Sequence, residues 1–284
     1  MAAARLLLVA QACAVAAAGL TLSTGRAAEP PTVDVKLLGE AGCPFTRRFI
    51  QGALNKTLTS KGLADVLRFD FLPFGNAYFS SAVCPSADHE YDATARNCFN
   101  SRCGPAASDR SEDCFKGRLV CQHDLAECIG NRWMACARKI AQVPGQERSR
   151  SSFLGYMPFV HCLARWYDYG KLHGFAGYAA RCSASTGLDW TSLSRCYNST
   201  EGDRATVEAA RGTPEHLGVP WLYVNGKPME ADHEGELFAQ ICRALPQPAR
   251  PQECLSELGP PLPAQPGAAR APGAGPEGAQ EGPP

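Results

Sequence analysis

This chain of 284 residues has no surplus of either charge: 28 basic side chains stand against 28 acidic ones. Such a neutral chain has no bulk electrostatic footprint for nucleic acid or an anionic membrane surface, so neither is expected as a partner. After residue 22 no apolar run is long enough to cross a bilayer, so no membrane anchor is expected. At this length the chain can bury a substantial core, which excludes a mini-protein held only by disulfides. Length alone suggests one large domain or two small ones. Cysteine is abundant instead, with fourteen in the chain. That density is ordinary in the oxidising secretory route and unusual in cytosol.

The N-terminus points to the same compartment. Met1–Leu22 carries one early charge, Arg5, then the Ala-rich run Leu6–Leu22, and Gly25-Arg26-Ala27 follows as a small-x-small cleavage site. Residues 1–27 therefore read as a cleaved signal peptide. The sequons at Asn55 and Asn198 are candidate glycosylation sites in that compartment. Cys13 leaves with the signal segment, and thirteen cysteines remain. An odd number cannot pair completely within one chain, so at least one thiol stays free.

Along the mature chain, Val33–Leu38 reads as a strand and Glu40-Ala41-Gly42 as a turn. Cys43-Pro44-Phe45-Thr46 then opens a helix towards Thr59, with Pro44 in the first turn, where its missing N–H costs nothing. Val66–Leu72 alternates as a strand should. Residues 78–117 are polar, lack helical periodicity and carry Cys84, Cys98, Cys103 and Cys114. They read as an inserted loop with its own two disulfides, in one of three connectivities. Residues from about 121 to 211 read as a helical insertion, with helices at Asn131–Ile140, Phe159–Tyr169, Leu188–Tyr197 and Arg204–Arg211. Breaks are expected at Pro144-Gly145 and Gly170–Gly177. Val219–Val224 reads as a strand, Asn225-Gly226 as a hairpin turn and Lys227–Met229 as its partner. Glu236–Leu245 closes as a helix. Eleven of the 22 prolines fall in residues 246–284, which reads as a disordered tail with Cys254 still tied to the domain. The order β-α-β, helical block, β-β, α is that of an α/β (α+β) thioredoxin-like domain spanning 33–245, with an inserted helical, disulfide-rich subdomain.

Cys43 follows a strand and opens a helix. A thiolate there faces unpaired backbone N–H groups and the positive end of the helix dipole, and Arg47 adds charge one turn on. These features suit a nucleophilic cysteine. Pro220 follows Val219 just before a strand, which makes it a candidate cis proline, and in thioredoxin-like folds such a loop lies beside the reactive cysteine. The spacing of Cys121, His123, Cys128 and Cys136 matches no CxxC-type zinc module, so disulfides and no metal are expected. No histidine sits in a protease signature. Trp133, Trp166, Trp190 and Trp221 read as core.

Cys121–Cys136 reads CQHDLAECIGNRWMAC. This resembles the signature CQHGxxECxxNxxxxC of the gamma-interferon-inducible lysosomal thiol reductase family. Cys121, Gln122, His123, Glu127, Cys128, Asn131 and Cys136 all fit, and Asp124 replaces a glycine. Pro73–Ala77 and Val219–Pro228 are also similar to family sequence. The resemblance implies a thioredoxin-like fold with a helical insertion. It also implies reduction of protein disulfides in endosomes and lysosomes through a Cys-x-x-Cys site. Here Thr46 stands where the second, resolving cysteine belongs, and a hydroxyl is no thiol-exchange nucleophile. Three expectations follow. Cys43 attacks a disulfide and an external small thiol resolves the complex, giving reductase or isomerase chemistry. Or an insert cysteine resolves it. Or the fold binds thiol- or disulfide-bearing partners without catalysis. Thr46 could still hydrogen-bond the Cys43 sulfur through its hydroxyl. The expected partners are disulfide-bonded proteins and small thiols, with no other cofactor. The expected destination is the lysosome, the endosome or the extracellular space. The eight body cysteines Cys121, Cys128, Cys136, Cys162, Cys182, Cys196, Cys242 and Cys254, with the four of the insert, can pair among themselves and leave Cys43 free.

Overall fold

The computed structural model describes residues 31–87, 90–108, 110–142, 152–229 and 236–258. The expected signal peptide, the Pro144-Gly145 break and the tail after residue 258 lie outside them. In β1 (Val33–Gly39) the alternating Val33, Val35 and Leu37 are all buried. A helical stretch follows, built of α1 (Pro44–Phe49), one π turn (Ile50–Leu54) and α2 (Asn55–Leu58). It returns the chain to β2 (Leu67–Pro73), which pairs in parallel with β1 from Val33 opposite Leu67 to Gly39 opposite Pro73.

The stretch expected to be an irregular loop contains a strand, β3 (Tyr78–Ser80), and a helix, α3 (Ala93–Cys103). Asp92 caps α3 by accepting from the amides of Thr94 and Ala95 at 2.7 and 3.3 Å. The helix escaped the hydrophobic pattern because it buries only Ala95, Phe99 and Cys103, a stripe with one large apolar side chain. β4 (Arg118–Val120) then pairs antiparallel with β3 and closes the insert. Phe74, Phe79, Phe99 and Phe115 form a separate small core there, with ring centroids about 6 Å apart.

The helical block comprises α4 (Asp124–Ala141), α5 (Met157–Arg165), α6 (Tyr167–His173), α7 (Phe175–Thr186), α8 (Trp190–Tyr197) and α9 (Thr200–Gly212). The break expected over Gly170–Gly177 narrows to Gly174, which alone there adopts a positive φ, 91°. Burial of Tyr167, Phe175 and Ala179 overrides the weak helix propensity of the glycines around it. Trp133 stacks on Tyr197 at 3.9 Å and on Trp190 at 5.7 Å, tying α4 to α8. Only Trp133 of the four tryptophans is buried; Trp166 and Trp190 are 45% and 37% exposed, contrary to the core reading.

β5 (Trp221–Val224) joins β1 antiparallel and turns through Asn225-Gly226 into β6 (Lys227–Met229), giving a sheet in the order β2-β1-β5-β6. α10 (Leu237–Ala244) follows. The chain continues in ordered form past 246, through α11 (Gln252–Leu258), which corrects the expectation of disorder over residues 246–258. Arg138 of α4 grips Asp70 of β2 through two bonds of 2.7 and 3.1 Å, joining the helical block to the sheet. The result is an α/β thioredoxin-like fold carrying an inserted helical, disulfide-rich subdomain.

Six disulfides run through the described residues: Cys84–Cys98, Cys103–Cys114, Cys121–Cys128, Cys136–Cys196, Cys162–Cys182 and Cys242–Cys254. Among the described residues the free cysteine is Cys43.

Candidate active site around Cys43

Cys43 is the N-cap of α1 in extended backbone conformation, with Pro44 as the first helical residue. Its carbonyl accepts from the Arg47 amide at 3.0 Å, and its Sγ accepts from the Thr46 amide at 3.5 Å. The thiol in turn reaches the carbonyl oxygen of Val219 at 3.5 Å. The Val219–Pro220 peptide is cis, and Pro220 is buried. Cys43 is only 4% exposed, while its neighbour Phe45 stands 59% exposed at the rim.

Two expectations about the flanking residues change. Thr46 contacts the sulfur through its backbone amide; its hydroxyl is buried without a hydrogen-bond partner. Arg47 spends its charge elsewhere. Its guanidinium binds Asp168 at 2.8 Å and lies over the Tyr167 ring at 4.8 Å. The four insert cysteines are bonded to one another, so none is a free resolving thiol in this arrangement.

The signature residues of α4 and its approach lie around the loop that leads to Cys43. Asn131 Oδ1 accepts from the Ala41 amide at 2.7 Å. Gln122 Oε1 accepts from Asn76 Nδ2 at 2.7 Å, and Arg96 of α3 donates to Asn76 Oδ1 at 2.8 Å and to the His216 carbonyl at 2.9 Å. The insert thus braces both the Pro73–Ala77 loop and the segment before Val219. His123 Nδ1 meets Glu127 Oε2 at 2.6 Å and Glu40 Oε2 at 3.3 Å, and both carboxylates are fully buried. Donation to Glu127, and then the nearby Glu40 carboxylate, push the His123 imidazole up to about 10. Burial pushes the Glu127 carboxyl up to about 7, against the pull of His123. Room for this cluster comes from two glycines. A Cβ on Gly42 would lie 2.5 Å from Glu127 Oε2, and one on Gly75, whose φ is +54°, would lie 2.2 Å from Glu40 Cγ.

From the sequence, Glu40 and Asn76 were read only as turn and loop residues. The one signal available was an acidic residue in the short turn between an apolar strand and Cys43. Asp124, which stands where the signature has glycine, takes φ +74°, a conformation glycine adopts freely. Its Oδ1 accepts from the Ala126 amide at 2.7 Å and its Oδ2 pairs with Lys171 at 2.6 Å. Of the sequons, Asn198 is exposed at the end of α8, whereas Asn55 is half-buried in α2 beside the buried Thr57.

Comparison with known proteins agrees with the signature. The family profile described as gamma interferon inducible lysosomal thiol reductase matches residues 34–101 and 90–186. The chain is similar to GILT-like protein 1 of Drosophila melanogaster, 25% identical over 237 residues and covering 80% of each protein. It is also similar to the gamma-interferon-responsive lysosomal thiol protein of Arabidopsis thaliana, 24% identical over 75% of this chain and 70% of that one. The profile spans more than half of the chain and takes in both the Cys43 loop and the α4 signature, and on that ground the chain belongs to the gamma-interferon-inducible lysosomal thiol reductase family.

Proposed function

We propose that this protein is a thiol–disulfide oxidoreductase of the secretory or endolysosomal route, acting on protein disulfides through Cys43 with an external small thiol. The observation that carries this reading is the state of the cysteines. Among the described residues twelve are paired, and the free one caps α1 against the Val219 carbonyl. The Thr46 amide donates to its sulfur, an interaction strengthened when the acceptor is an anion.

The chemistry runs in three exchanges. The Cys43 thiolate attacks one sulfur of a substrate disulfide, forms a mixed disulfide and releases the other sulfur as a thiolate. A small thiolate attacks the Cys43 sulfur and releases the second substrate thiol. A second small thiolate takes the first from Cys43, leaving Cys43 reduced and a small-molecule disulfide as the oxidised product. Two electrons pass from two small thiols to one substrate disulfide. Return of the released substrate thiolate to the mixed disulfide instead gives isomerisation. Support for the compartment comes from the Met1–Ala27 segment, the sequons and the family. Among the described residues no helix is long and apolar enough to cross a membrane.

The test is turnover of a disulfide-linked reporter peptide with excess small thiol. Cys43→Ser is expected to fall to the uncatalysed rate. Thr46→Cys is expected to raise turnover driven by a dithiol. The second reading, a binding module without catalysis, is favoured by Thr46 itself. It prevails if wild type shows no turnover above background and Thr46→Cys restores none.

A further inference from the structure

Glu40, His123 and Glu127 come from two separate parts of the chain and converge. Glu40 lies in the loop after β1, while His123 and Glu127 sit four residues apart at the start of α4. Both carboxylates are fully buried, and the His123 side chain is 35% exposed. Each carboxylate uses Oε1 to accept a backbone N–H: Glu40 from Asn76, and Glu127 from Gln122 at 3.0 Å. That leaves both Oε2 atoms aimed at His123 Nδ1. Glu40 Oε2 is buried and has no hydrogen-bond partner. His123 Nδ1 is thus shared by two buried carboxyl oxygens, and buried carboxylates are normally fully paired or bound to a metal.

We propose that Glu40 Oε2, Glu127 Oε2 and His123 Nδ1 bind one divalent transition-metal ion. The three donor atoms lie within 4.8 Å of one another. Around a four-coordinate zinc, with bonds near 2.0 Å, neighbouring ligand atoms stand about 3.3 Å apart. His123 Nδ1 and Glu40 Oε2 already have that spacing at 3.3 Å. The Nδ1 to Glu127 Oε2 pair, now at 2.6 Å, holds a proton between its atoms and opens by about 0.7 Å when an ion replaces it. The backbone N–H groups on both Oε1 atoms are the outer hydrogen bonds that orient metal-binding carboxylates. The Cys121–Cys128 bond brackets His123 and Glu127 and holds the first turn of α4 in place. Two carboxylates and one imidazole, without sulfur, suit zinc and neighbouring divalent ions. The exposed edge of His123 gives an ion and a completing water their path. A cation of charge two neutralises both carboxylates and displaces the proton shared by Nδ1.

The experiment is titration calorimetry of zinc into the chelator-treated full chain, disulfides intact, at pH 7 in two buffers of different ionisation enthalpy. One zinc per chain is expected, with release of about one proton. Cys43→Ser is expected to bind as wild type does. Glu40→Gln and His123→Gln are each expected to weaken binding at least ~100-fold, more than loss of an outer-shell partner does. Wild type loaded with cobalt(II) provides a readout that needs no variant, and its spectrum should lack a thiolate-to-metal charge-transfer band. The proposal is overturned if wild type binds no stoichiometric zinc, if folded Glu40→Gln binds as tightly as wild type, or if binding disappears in Cys43→Ser.

Discussion

Asp124 occupies a left-handed backbone position, φ +74°, and offsets that cost with a side-chain bond to the Ala126 amide. Asp124→Ala keeps the awkward backbone and loses the bond, so stability should fall by about 1–2 kcal/mol. Asp124→Gly should cost less, because glycine removes the backbone penalty. Urea melts of the two variants check this; equal midpoints would contradict it. His216 gives a pH signature. It is 3% exposed, its Nε2 is buried without a partner, and burial, with Arg96 nearby, holds its pKa below the ordinary 6.5. The bond to the Pro214 carbonyl and the charges of Glu40 and Glu215 oppose this only in part. The folded pKa lies below the unfolded one, so this group costs nothing above pH 6.5 and destabilises the fold as pH falls from 6.5 towards the folded value. Thermal melts between pH 7 and 5 should show a shallower acid loss in His216→Gln than in wild type. The local sequence around Cys43 made its helix-opening place legible. The His123–Glu127 pair was legible from its spacing of four residues, whereas the third member, Glu40, was not, because its place depends on where a turn meets a distant helix.

Among the secondary-structure elements, α3 is the instructive failure. Its sequence is mostly polar, and what holds it is one phenylalanine, two disulfides and a cap. Phe99 packs between Phe74, Phe79 and Phe115. Phe99→Ala should cost about 3–5 kcal/mol of local stability. Because that cluster is separate from the main core, the loss should appear as faster proteolysis within residues 78–117 while the helices around Trp133 stay protected. Uniform loss of protection across the chain would show that the insert is part of one cooperative core. By contrast β1, β2 and the β5–β6 hairpin were legible. Their alternation and the Asn225-Gly226 turn are local signals that tertiary packing did not override.

Over the whole chain, cysteine parity was readable and connectivity was not, since pairing depends on which helices pack together. Cys136–Cys196 closes the longest loop, a separation of 60 residues, and joins α4 to α8 beside the Trp133–Tyr197 stack. In the chain-entropy view that closure contributes about 4 kcal/mol. The double variant Cys136→Ala/Cys196→Ala should lose a comparable amount in denaturant melts, well beyond the loss from opening the 7-residue separation of Cys121–Cys128. The same pairing leaves Cys43 as the free thiol among the described residues, and the functional proposal depends on that thiol. The decisive experiment is to mix the full chain with a disulfide-linked peptide, quench with acid and map the product by mass spectrometry without reduction. A mixed disulfide between the peptide and Cys43, released on adding a small thiol while the six structural bonds persist, is the predicted result. A peptide attached to any other cysteine, or no covalent adduct at all, would contradict a catalytic role for Cys43.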